Sequence, residues 1–128
     1  MEEIIICVDF DGSVVQHCYT KVGKDCPGAV DVIKKLVKRG HKIILFTMRS
    51  GVQLGEAVDW YKSKEIPLYG ININPTQQNW TSSPKAYAQL YIDDAALGIP
   101  LIYPENKAER PYIDWYKVEE LLIKSHVL

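Results

Sequence analysis

Apolar residues run without alternation through Ile4, Ile5, Ile6, Cys7 and Val8, then give way to the polar DFDG of residues 9–12. Such an unbroken run predicts a strand covered on both faces, as in a parallel sheet. Residues 12–26 set Gly12 and Gly23 among polar and β-branched positions, predicting a loop or short hairpin beside the strand end. Pro27 suits the first turn of a helix whose stripe is Val30, Ile33, Leu36 and Val37, and which stops at Lys38, Arg39 and Gly40. HKIILFT is a second apolar strand, ending at Thr47 as the first ends at Asp9.

Residues 51–64 predict a second helix with Leu54, Ala57, Val58 and Tyr61 on one side, followed by Pro67 and a third strand in LYGI. NINPTQQNWTSSP reads as an irregular connection in which Asn72, Asn74, Thr76, Ser82 and Ser83 bond to their own backbone. AQLYIDD supplies another strand, GIPLIYP a last one, and from Arg110 a terminal helix turns Trp115, Val118, Leu121 and Leu122 inward. Strands alternating with helices predict a three-layer α/β/α sandwich around a mostly parallel, Rossmann-like sheet. A length of 128 residues suits one such domain, spanning 1–128.

Fifteen Lys plus Arg nearly balance sixteen Asp plus Glu, so no basic nucleic-acid footprint stands out. Cys7, Cys18 and Cys26 lack CxxC spacing and are expected as ordinary reduced thiols; His17, His41 and His126 are scattered and are given surface or turn roles. The acidic start MEEIIICVDF lacks the positive charge of a secretory signal, and no apolar stretch approaches membrane-spanning length, so a cytoplasmic location is expected. Trp60 and Trp115 fall on helix-packing positions, while Trp80 suits a substrate rim, a subunit contact or an anchored loop. Arg49 and Ser50 are within reach of a substrate, but a surface arginine and a helix-capping serine are the plainer readings. Monomer and homodimer are both compatible with the chain.

The chemistry collects at predicted strand ends: Asp9 and Asp11 after the first, Thr47 after the second, and Asp93 with Asp94 after LYI, whose strand Lys85 precedes. Open parallel sheets place ligands beyond the carboxyl ends of their strands. Singly, each residue has a plainer use: an aspartate caps a turn, a threonine bonds its own backbone, a lysine is solvated. Together, in this order, they resemble the haloacid dehalogenase-like hydrolase superfamily across nearly the whole chain, through DFDG, LFTMRS, the lone Lys85 of SSPKAY, and YIDD followed by AALG.

The resemblance implies that Asp9 is nucleophile and magnesium ligand, and that Asp11 is general acid and base with its backbone carbonyl toward the metal. It also implies that Thr47 and Lys85 hold phosphoryl oxygens, and that Asp93 completes the coordination of Mg2+, with Asp94 a direct ligand or one acting through water. The family usually has Thr where this chain has Ser13, which preserves the hydroxyl. The intervals that carry a cap domain in such enzymes are too short here, so the protein is expected to be capless. Relatives of that kind act on exposed phosphates, including those on macromolecules, or have their site covered by another subunit.

Elementary chemistry leads to a similar assignment. A carboxylate approaching a dianionic phosphate is repelled unless a cation neutralises the pair, and magnesium prefers the oxygen ligands present here. An acid placed two residues on can protonate a departing alkoxide and then accept a proton from water. Lys85 supplies positive charge and Thr47 a hydroxyl donor. The function expected from sequence is therefore magnesium-dependent phosphomonoester hydrolysis through an aspartyl-phosphate, on a phosphorylated small molecule. The alternatives are a noncatalytic phosphate-binding or regulatory protein, a phosphotransferase, and a terminal phosphatase of nucleic acid, which the near-neutral charge weakens. No membrane partner is expected.

Overall fold

The computed structural model describes residues 2–128; Met1, the first residue of the expected domain, lies outside them. Four strands form a parallel sheet in the order β3-β2-β1-β4: β1 Ile5–Val8, β2 Lys42–Leu45, β3 Gly70–Ile71 and β4 Leu90–Ile92. The Rossmannoid order follows from the crossovers α1 (Ala29–Lys38) and α2 (Gly51–Ser63). The central strands bury both faces because successive side chains alternate. Ile6, Val8, Ile43 and Leu45 join one hydrophobic cluster, while Cys7 and Ile44 join another.

The expected three layers are present but unequal. The first cluster takes in α1, α2 and the terminal helix α3 (Trp115–Lys124), whereas the opposite face is covered by Ala86, Ala88 and their irregular connection, which contains one 3-10 turn, Gln77–Asn79. Buried amide side chains organise that connection. Gln77 Nε2 donates to the carbonyls of Ser83 and Lys85, Gln77 Oε1 accepts from Tyr87 N, and Asn74 Nδ2 donates to Tyr87 O. Asn74 also makes the expected local bond, accepting from Thr76 N.

Three departures from the sequence pattern have local causes. GIPLIYP does yield a strand, β5 (Leu101–Ile102), but it leaves the parallel sheet and pairs antiparallel with β6 (Tyr112–Ile113). That ribbon is tied to the first loop, since Ile113 N donates to Gly12 O. The terminal helix therefore starts at Trp115 rather than Arg110, where Asp114 caps it by accepting from Lys117 N. His41 is buried, not superficial: Nδ1 accepts from Ile4 N and Nε2 donates to Val127 O, which fixes its neutral tautomer and closes the chain's end onto β1.

Trp60 and Trp115 are core residues, as their positions predict. Trp80 is exposed and meets Tyr87 edge to face at 5.3 Å. All three cysteines are free thiols, Cys7 and Cys26 buried and Cys18 exposed. Among the described residues, no helix is long and apolar enough to cross a membrane.

Candidate functional site

The carboxyl ends of β1, β2 and β4 open into a cavity of about 580 Å³, onto which Asp9, Asp11, Thr47, Asp93 and Asp94 all face. Parallel pairing aligns these ends: Val8 registers with Leu45 and with Ile92, so the residues beyond them enter one crevice. Asp9 N donates to Ile92 O at 2.9 Å, carrying the sheet one residue further before the chain turns.

Ser13 organises the floor. Its buried hydroxyl donates to Asp9 Oδ2 at 2.7 Å and accepts from Asp94 N at 3.1 Å, linking the two acidic loops. Its carbonyl accepts from Trp115 Nε1 at 2.6 Å, so α3 supports the same point. Gly12 adopts φ +79°, and a Cβ there would collide with His17 Nε2 and Asp94 Oδ2. Those two atoms lie 2.8 Å apart. Gly12→Ala therefore combines a left-handed backbone, about 1–2 kcal/mol, with displacement of Asp94. A lowered thermal midpoint and weakened cation-dependent stabilisation are expected, measurable together by calorimetry with and without a divalent cation.

Asp9, Asp93 and Asp94 each bring a carboxylate oxygen within 4.8 Å of the others. Burial, then repulsion from Asp93, pushes Asp9 from an ordinary 3.8 up to about 8, although the Ser13 hydrogen bond pulls the other way. Asp93 is also raised, first by burial and then by Asp94. Behind them the Tyr61 hydroxyl is buried without a hydrogen-bond partner among the described residues, and burial together with the Asp9 charge drives its pKa upward. Three carboxylates crowded in this way fit a hard divalent cation, which replaces their mutual repulsion with attraction.

The remaining sequence candidates separate. Thr47 lines the cavity, its amide donating to Asn72 Oδ1 at 2.7 Å and its Oγ1 accepting from Arg49 N at 3.1 Å. Asn72 thus makes a cross-strand bond in place of the local one expected. Asp11 is within the cavity wall, but its carboxylate points to Arg49 and is not part of the three-acid cluster. Lys85 lines a second cavity, of about 340 Å³, with Trp80 and Tyr87, and its Nζ sits 5.4 Å from the centre of the Tyr91 ring.

Arg49, His17 and Arg110 line the cavity against the plainer sequence readings. Arg49, expected at the surface, is 2 % exposed. His17 joins Asp94, and Arg110 reaches the rim from the connection preceding β6. Arg49 had a legible signal, since it follows Thr47 by two residues into the crevice that receives Asp11. Ser50 stands at the α2 N-cap but makes no side-chain cap bond.

No protein-family model matches the chain, and no curated protein does. A conserved protein from Bacteroides thetaiotaomicron has a similar solved structure, with a TM-score of 0.79 and 32% sequence identity, over 98% of this chain and 93% of the other.

Proposed function

This chain belongs to the same family as that conserved Bacteroides protein, and from that premise we propose that it is a capless phosphatase of the haloacid dehalogenase-like type, hydrolysing phosphomonoesters with the help of Mg2+. The observation that carries the reading is Asp9: a partly buried carboxylate at the end of β1, fixed by Ser13 and gathered with Asp93 and Asp94. Asp11, two residues on, is available for proton transfer, and Thr47 shares the cavity wall.

On this reading Asp9 attacks phosphorus through a carboxylate oxygen, and the ester P–O bond breaks with its electron pair passing to the leaving oxygen. Asp11 gives that oxygen a proton. Water then attacks the phosphorus of the aspartyl-phosphate, Asp11 takes its proton, and the P–O bond to Asp9 breaks to restore the carboxylate. On the same reading Thr47 Oγ1 donates to a phosphoryl oxygen. A bound divalent cation, held by Asp9, Asp93 and Asp94, would supply neutralisation of the facing negative charges.

The substrate class we assign is a phosphorylated small molecule. Release of inorganic phosphate from a panel of phosphomonoesters, with and without Mg2+, tests the reading; no release from any ester by folded, cation-bound protein rejects it. Lys85 contributes on this reading only by leaving the Tyr91 ring for the phosphoryl group. Lys85→Met is then expected to lower kcat by about 100-fold, on the scale of one lost charge-stabilising donor. Unchanged kcat would remove Lys85 from the reaction. A noncatalytic phosphate-binding role is the second reading, favoured by one contact, the double hold of Arg49 on Asp11.

A further inference from the structure

Arg49 is the most fully engaged side chain around the cavity. Nε donates to Asp11 Oδ2 and Nη2 to Asp11 Oδ1, both at 2.8 Å, which is the two-pronged arrangement that fixes the plane of a carboxylate. Nη2 also donates to Lys21 O at 2.7 Å, and Nη1 to Gln53 O at 3.2 Å and to Thr20 O at 3.4 Å. All the donors a guanidinium possesses are thus used. The guanidinium carbon lies 5.0 Å from the Phe10 ring centre and 5.1 Å from that of Tyr19, so aromatic rings cover it as well.

These contacts gather acceptors from three places along the chain onto one guanidinium. Asp11 belongs to the loop after β1, Thr20 and Lys21 to the projection over residues 12–26, and Gln53 to the first turn of α2. A lysine has one flexible ammonium and could not satisfy them together.

We propose that Arg49 is a positioning residue that sets the carboxylate of Asp11 for proton transfer and, through the same guanidinium, latches residues 16–25 against the cavity. The first half rests on the phosphatase reading above; the latch does not. Both Asp11 oxygens keep a second lone pair, so the clamp leaves the acid able to exchange a proton while fixing where it does so. An acid held in place matters most when the leaving oxygen is a poor one, because a good leaving group departs without a proton.

The test compares wild type with Arg49→Lys on an alkyl phosphate and on p-nitrophenyl phosphate, alone and in an Asp11→Asn background. Hydrogen exchange of residues 16–25 is followed in parallel, and thermal unfolding checks that each variant is folded. The expected result, read in kcat/KM because that reports the step in which the alcohol leaves, is a loss of about 100-fold on the alkyl ester and at least about tenfold less on the nitrophenyl ester. KM should change little, and Arg49→Lys should add nothing once Asp11 is asparagine, as for residues acting as a unit. Exchange across 16–25 should quicken by about tenfold or more. Equal losses of kcat/KM on both esters, or losses that multiply with Asp11→Asn, overturn the positioning role, and unchanged exchange overturns the latch. If wild type releases phosphate from neither ester, the phosphatase reading and the positioning role fall together, and the exchange result decides the latch alone.

Discussion

Asp9→Asn should abolish turnover and, in protein stripped of divalent cations, remove most of the pH dependence of stability between about pH 4 and about pH 8. The first effect follows because an amide cannot form the acyl phosphate. The second follows from the sign of the shift. Asp9 is raised by burial from 3.8 to about 8, so across that interval the folded chain retains a proton that the unfolded chain has released. Its stabilising contribution is complete below about pH 4, is lost as pH climbs through about 8, and stays lost above. The variant keeps the slope contributed by Asp93, which is raised in the same direction. A divalent cation competes with that proton, so it should raise the wild-type thermal midpoint more at pH 8 than at pH 5. Thermal scans across pH with and without Mg2+ measure both effects. Matching pH slopes in wild type and variant would show that the Asp9 environment is not what burial makes it here.

Trp115→Ala should be the most damaging single truncation in the core, costing about 3–5 kcal/mol, a large part of the stability of an ordinary domain. Trp115 is fully buried beneath the acidic loop, and its indole N–H donates to Ser13 O. Removing the ring leaves a cavity and an unpaired carbonyl at the residue whose hydroxyl aims Asp9. Trp115→Phe separates the two losses. It retains much of the volume, should cost about 1–3 kcal/mol through the lost hydrogen bond and the smaller ring, and should lower kcat more than it raises KM. Denaturant unfolding and steady-state kinetics on the same samples provide the comparison. An alanine variant as stable as wild type would contradict this packing.

Much of this arrangement could be read from the chain because its signals are local. β1 and β2 announce themselves as unbroken apolar runs, and the polar residues after them fall at carboxyl ends in any parallel sheet. β6 could not be read, because two residues carry no periodicity and their pairing with β5 arises across a connection of exposed residues. Arg49 was misplaced for a related reason: nothing adjacent in sequence requires an arginine to be buried, and its acceptors come from positions 11, 20, 21 and 53. His41 is likewise held by Ile4 and Val127, at opposite ends of the chain. Strand-end acids were legible as a group, but their division was not. The structure sends Asp94 to the three-acid cluster and the Asp11 carboxylate to Arg49.

The uneven burial of the three thiols makes the protein its own labelling reagent. Cys7 and Cys26 are enclosed, and burial pushes them to about 11 and about 12, which leaves little thiolate to react at neutral pH. Cys18 alone is open to solvent, and it sits beside Tyr19 in the projection that Arg49 holds. A maleimide dye added to the unaltered chain should therefore attach at one position, where its fluorescence reports the movement of that projection in real time.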